Sequence, residues 1–287
     1  MSIIFLSLYL APKCPWKKNA QTQNWFKDDK SNLLNAVVTM GYDQRLKGDF
    51  RSDLTHQTEH NKFEWILNGR FEADEKGYGK AEVAIPTAML RDISGEDQNT
   101  EPKSAVKNSE VLLNNAKVSW DIMPSGEFQH LINGRTHFIA DSLRFKGEDD
   151  KGKVQNEIKK MDLTLSQKED QGLADIAVAY GFGDWIHQGV SFGNGNLALQ
   201  FNHLNAKALH DLLEDIRKKA ETDWLKAGDG ALNTMLNDSP QIKLSTLDLN
   251  NLKGNLHADE RCGTITTMYS RMLYCLFLHF KSQHALV

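Results

Sequence analysis

The feature that most constrains this chain is strict alternation of apolar and polar residues over Lys62–Asp74. Phe63, Trp65, Leu67, Gly69, Phe71 and Ala73 fall on one side, and Glu64, Asn68, Arg70, Glu72 and Asp74 on the other. Ile66 is the one apolar residue on the polar side. A period of two belongs to an extended strand, whose successive side chains point to opposite faces, so this segment predicts a half-buried β-strand. The pattern recurs at Ala81, Val83 and Ile85, at Val118, Trp120 and Ile122, and at Met161, Leu163 and Leu165. It returns at Ile176, Val178, Tyr180 and Phe182, then at Leu197, Leu199 and Phe201. Ile242 with Leu244 closes the series before Leu247, Leu249 and Leu252.

Polar, glycine-bearing clusters separate these runs: Asp74-Glu75-Lys76-Gly77, Gly147 to Gly152, Gln167 to Gly172, and Gly193-Asn194-Gly195. Strands joined by such short links pair as antiparallel hairpins. One apolar and one polar side per strand means a sheet with one dry and one wet face, which argues against a doubly wound parallel sheet. The expectation is a mainly β fold (β-rich α+β) of long antiparallel hairpins in a curved sheet.

A period of 3.6 stands out in one place. Leu209, Leu212, Leu213, Ile216, Ala220 and Trp224 line one face of an amphipathic helix at about 206–225. Asn205 is placed to cap its N-terminus, and Leu204 with Leu209 would form a hydrophobic staple across the cap. A short second helix is expected near Ala231 to Leu236. The polar stretch at about 92–110 has no periodicity and reads as a loop.

Both ends differ from this body. Residues 1–30 carry a local +3 and 261–287 another +3 with no acid, so the overall −4 leaves 31–260 at −10. An acidic body repels phosphate backbones, and nucleic acid is not expected as a partner. The apolar run Ile3 to Ala11 is shorter than the roughly 20 residues a membrane span needs. It lacks the basic residue before and the small-x-small site after that mark a signal peptide. Leu10-Ala11-Pro12-Lys13-Cys14 is only loosely similar to a lipoprotein site, because Pro12 and Lys13 stand where small residues belong. The tail after Glu260 is read as the product of a shifted frame or truncated gene, or as a small helix packed on the body. Cys14, Cys262 and Cys275 make neither a disulfide framework nor a Cys-x-x-Cys pair.

Motifs with chemistry are few. His56-Gln57-Thr58-Glu59-His60 fits the H-x-x-E-H pattern of inverted zinc peptidases. That chemistry needs a helix, where residues four apart share a face and a metal. Asp53, Thr55 and Thr58 are poor helix formers, and on a strand the two His would stand about 13 Å apart. A metal-dependent hydrolase using His56, Glu59 and His60 is therefore an alternative reading, not the leading one. The glycines from Gly181-Phe182-Gly183 to Gly193-Asn194-Gly195-Asn196 lead into a strand, not a helix, so tight turns or bulges explain them better than a phosphate loop. Gly228-Asp229-Gly230 has no lysine behind it. His187, His203 and His210 are near one another only in sequence, and there is no G-x-S-x-G. No catalytic residue, metal ligand or cofactor site is assigned, and the chain is read as non-enzymatic.

The order of elements carries a family resemblance. Met161-Asp162-Leu163-Thr164-Leu165, Gly193-Asn194-Gly195-Asn196-Leu197-Ala198-Leu199 and Leu204-Asn205-Ala206-Lys207-Ala208-Leu209 follow one another. Leu232 to Ile242, Leu244 to Leu249 and Gly254-Asn255-Leu256 complete the run. Together these resemble the YdgA-like family of bacterial envelope proteins, a family of unknown function, over roughly residues 40–260, with 110–260 the closer part. Members are longer, with an N-terminal membrane anchor and further β-structure. The resemblance implies a strand-rich body on the periplasmic side of the inner membrane and supplies no catalytic residues. The expected role is a β-sheet scaffold or binding module for an apolar or lipid ligand or another envelope protein. A self-associating module joined through edge strands is a further alternative.

Overall fold

In a computed structural model, residues 35–57, 60–93, 107–124, 128, 131–149, 152–219, 240–251 and 254–261 are described. The expected second helix at 231–236, the helix positions Ala220 and Trp224, Glu59, the Gly228-Asp229-Gly230 turn, the three cysteines and both atypical ends (except Arg261) lie outside these residues. So does 94–106 of the polar loop.

The described chain is almost entirely strand. β1 (Asn35–Met40), β2 (Leu46–Gln57), β3 (Asn61–Ala73) and β4 (Gly79–Asp92) are followed by three long strands. These are β5 (Lys107–Pro124), β6 (Ile132–Asp149) and β7 (Gly152–Asp170). Then come β8 (Leu173–Phe182), β9 (Asp184–His187), β10 (Val190–Ser191) and β11 (Asn194–Asn205). Helix α1 (Ala206–Lys219), β12 (Gln241–Asn251) and β13 (Gly254–Arg261) complete the series. The strands form one antiparallel sheet in the order β1-β2-β3-β4-β5-β6-β7-β8-β11-β12-β13, and β9 branches off to pair with β7 and β10. Sequential order from β1 to β8 is what hairpin links dictate.

The expected strands are all present, and several reach further than alternation suggested. β5 begins at Lys107, so the end of the stretch read as a loop is strand. The β7–β8 link is tighter than the cluster from Gln167 implied: Gln167 to Asp170 belong to β7. Only Gln171 (φ 54°) and Gly172 (φ 80°) make the turn, the two positive φ angles of a type I′ hairpin. The expected strands do not include β1, β2, β6, β9, β10 or β13. β2 alternates, but Gly48 and Ser52 occupy two of its apolar-side positions and dilute the signal. In β6, Ile139 points to the polar side and is 37% exposed, while Arg144 takes a position on the other side.

The chain divides into two compact units, and β5, β6 and β7 contribute to both. Unit 1 falls within 1–121, 137–162 and 182–193 and holds β1 to β4 and the β9–β10 hairpin. Unit 2 falls within 122–136, 163–181 and 194–287 and holds β8, β11, β12, β13 and α1.

Unit 2 has the best-covered core. Leu131, Ala174, Leu204, Ala206 and Leu209 are buried together, with Phe128, Ile176 and Phe201 packed on them. α1 closes over this cluster because Asn205 caps it, its Oδ1 accepting the Ala208 amide at 2.8 Å. Leu204 and Leu209 are both buried there, as the expected staple requires. Among the described residues no helix is long and apolar enough to cross a membrane.

Candidate functional site

In unit 1 the sequence pattern becomes a two-faced sheet. Register places Phe50 opposite Gly69, Gly48 opposite Phe71, Ser52 opposite Leu67 and Leu54 opposite Trp65. On the next strand Val83 stands opposite Gly69, Ala81 opposite Phe71 and Leu90 opposite Phe63. These residues share one apolar side, because directly opposed residues point the same way. The side chains predicted to line one face of β3 therefore do so.

Two devices hold this side together. The rings of Phe50 and Phe71 lie over the glycines they oppose. A Cβ added at Gly69 would stand 2.1 Å from Phe50 Cζ, and one at Gly48 would stand 2.3 Å from Phe71 Cε1. Trp65 Nε1 donates to Ser52 Oγ at 2.9 Å, which satisfies two polar groups within apolar surroundings. Phe63 packs edge-on against Trp65 at 4.9 Å between centroids.

Coverage of this side is incomplete. Among the described residues of β1 to β4, Leu54 is the only large apolar side chain that is fully buried. Phe50, Phe63, Trp65, Leu67, Phe71, Val83 and Ile85 are half-buried, and Leu90 is 44% exposed. Ile66, the apolar residue out of phase, stands beside a bulge where register shifts between Ile66 and Asn68. β4 carries the extra residue there, at Ile85-Pro86, a position where a proline's missing N–H is tolerated.

The opposite side of the same strands is a lattice of charge. Along one row Asp49 opposes Arg70, Arg70 bonds Glu82 at 3.3 Å, and Lys117 reaches Glu82 at 3.0 Å. In the next row Lys47 meets Glu72 at 3.4 Å, Glu72 opposes Lys80, and Lys80 reaches Asp121 at 3.5 Å. Signs alternate along each row and between rows. The Lys117 hydrogen bond, helped by the Arg70 charge, holds the Glu82 carboxyl below its ordinary range. Exposed pairs of this kind are each worth at most about 1 kcal/mol, so they favour the correct register more than they add stability.

Further along unit 1 this polar side carries two backbone irregularities. Asn115 (φ 47°) and Lys160 (φ 52°) both adopt the left-handed region. Asn115 Nδ2 donates to Asp141 Oδ2 at 2.8 Å, and His137 Nε2 pairs with Asp162 Oδ1 at 3.0 Å. A dent of about 240 Å³ lies here, lined by Asn115, Ile139, Ala140, Asp141, Lys160, Met161 and Asp162.

Of the H-x-x-E-H segment, His56, Gln57 and His60 are described. His56 belongs to β2 and pairs with Phe63, and His60 is the residue before β3, its carbonyl accepting the Ile93 amide at 2.7 Å. The helix that the metal reading needs is not formed by these residues. Among the described residues, no three His, Cys, Asp or Glu side chains are grouped to hold a metal. His187 pairs with Asn156 at 2.6 Å in unit 1. In unit 2, His203 is exposed on β11 and His210 on α1 faces the Phe128 ring at 5.8 Å. The glycine-rich stretch forms turns, with Gly189 (φ 79°) and Gly193 (φ 91°) in the left-handed region, as expected of a lead-in to β11.

A family model described as a bacterial protein of unknown function (DUF945) matches residues 13–261. No curated protein and no solved structure gives a significant match. The chain belongs to this bacterial family of unknown function.

Proposed function

We propose that this DUF945 chain is a non-catalytic, YdgA-like binding module of the bacterial cell envelope, on the periplasmic side of the inner membrane, and that the apolar side of β1 to β4 holds an acyl chain of a lipid. One observation carries the reading: an aromatic-rich sheet face in which Leu54 alone is fully buried among the large apolar residues described on β1 to β4. Contiguous half-exposed apolar surface of this kind marks a ligand groove or an interface. The strip from Phe63 to Ala73 runs for about 33 Å at the rise of a strand. That is about twice the ~15 Å hydrocarbon depth of one bilayer leaflet, room for one extended chain. Its polar devices are internally satisfied, as the Trp65–Ser52 bond illustrates, so the face offers dispersion and burial without competing hydrogen-bonding groups.

Native mass spectrometry on protein purified without detergent tests this reading. A retained acyl species, lost in Trp65→Ser, supports it. A bare monomer that gains no thermal stability from added fatty acid or phospholipid would sink it. A bare dimer would transfer the face to self-association, for which the edge strand β1, with Val37 57% and Met40 65% exposed, is the nearest candidate.

A further inference from the structure

The β9–β10 hairpin and the residue after it expose an aromatic pair. Trp185 is 43% exposed and Phe192 47%, their rings 5.1 Å apart at 33°, and the His187 ring lies 6.2 Å from Phe192. Register fixes their side of the sheet: Trp185 opposes Ile158 and His187 opposes Asn156. His187 Nδ1 meets Asn156 Oδ1 at 2.6 Å.

The polar dent lies next to this pair. The Lys160 stem crosses Gly183, where an added Cβ would stand 2.9 Å from Lys160 Cδ. Gly183 lies in the bend just before β9, two residues from Trp185, a separation of at most about 7 Å. That spacing matches one pyranose ring with its linkage.

The chemistry of the dent narrows what can occupy it. Asp141 and Asp162 oppose an anion, Lys160 opposes a cation, and no group of three metal ligands is present among the described residues. What remains is a neutral ligand rich in hydroxyl groups. Carboxylates and an amide take up vicinal hydroxyls by paired hydrogen bonds. An exposed Trp offers its face to the C–H bonds of a sugar ring. Asn115 and His137 hold the two carboxylates in place through the 2.8 Å and 3.0 Å contacts.

We propose that the Trp185–Phe192 hairpin and the dent at Asn115, Asp141, Lys160 and Asp162 together bind a neutral oligosaccharide. The site is on the polar side of unit 1, so it stands or falls separately from the acyl reading.

Titration with chitotriose, cellotriose and maltotriose, followed by backbone amide shifts, tests it. The expected result is saturable binding of at least one of the three with a Kd of about 1 mM or tighter. Shifts should centre on Asn115, Asp141, Lys160 and Trp185. Trp185→Ala should weaken binding about tenfold or more, a change of about 1.4 kcal/mol, and Asp162→Asn should weaken it too. Both side chains are substantially exposed, so the thermal midpoint should hold in each variant. No saturable shift with any of the three sugars overturns the proposal. Binding that is indifferent to Trp185→Ala and Asp162→Asn also overturns it.

Discussion

Gly69→Ala should destabilise this protein, although alanine is ordinarily the better residue in a strand interior. The usual gain on replacing an interior glycine is about 0.5–1 kcal/mol, and the backbone at Gly69 lies outside the left-handed region that would forbid a side chain. The obstacle is the ring of Phe50. An added Cβ would meet its Cζ at 2.1 Å and both Cε atoms at 2.6 Å. Carbon atoms in contact prefer about 3.5–4.0 Å. The ring would have to retreat by about 1.4 Å or leave its rotamer, and overpacking of this kind costs about 1–3 kcal/mol. Net loss of about 1–2 kcal/mol follows. Urea unfolding of Gly69→Ala, Phe50→Ala and the double variant measures it. The double variant should be less destabilised than the sum of the singles, by about 1–2 kcal/mol of coupling, since without the ring the new methyl group has room. A Gly69→Ala midpoint at or above wild type, or strict additivity, would refute the ring-over-glycine account.

Three further outcomes are expected. Asn205→Ala removes the acceptor for the Ala208 amide and should cost about 1 kcal/mol of stability, with Asn205→Ser retaining most of it; urea unfolding followed by circular dichroism reads both. Glu157→Ala leaves Arg144, now bonded to Glu157 Oε1 at 3.0 Å, without that acceptor. Because Arg144 is about a third exposed, solvent moderates the loss to about 1–3 kcal/mol, and Glu157→Gln should lose less in the same assay. The third concerns pH. The Glu82 carboxyl is lowered in the folded state, first by the Lys117 hydrogen bond. Its contribution is therefore present above the ordinary carboxylate range and fades as pH falls through its folded value. The stability advantage of wild type over Glu82→Gln should shrink between about pH 5 and pH 3, and a gap that widens on acidification would contradict the sign.

Much of this architecture was readable from local pattern. A period of two needs no partner to declare itself, so β3, β4, β5, β7, β8, β11 and β12 could be placed from alternation alone, and the sides of β3 followed. The helix start was equally local, because Asn205, Leu204 and Leu209 act within one turn of each other. Two strands that alternation does not mark, β2 and β6, are hidden for nonlocal reasons. In β2, Gly48 and Ser52 look like interruptions until Phe71 covers one and Trp65 bonds the other from the next strand. In β6, Arg144 looks misplaced on its side until Glu157 of β7 meets it.

The candidate sites divide in the same way. The sequence determined that β3 has an aromatic-rich face, that His56 and His60 lead into a strand, and that the chain has long antiparallel hairpins. Tertiary structure alone decided that β9 leaves the path to pair with β7 and β10, while β11 takes its place between β8 and β12. It alone set Asn115 beside Asp141 and His137 beside Asp162, pairs separated by 26 and 25 residues. It also decided which charges alternate across four strands. The physical reason is that side-chain period is a property of one strand, whereas register is a property of two.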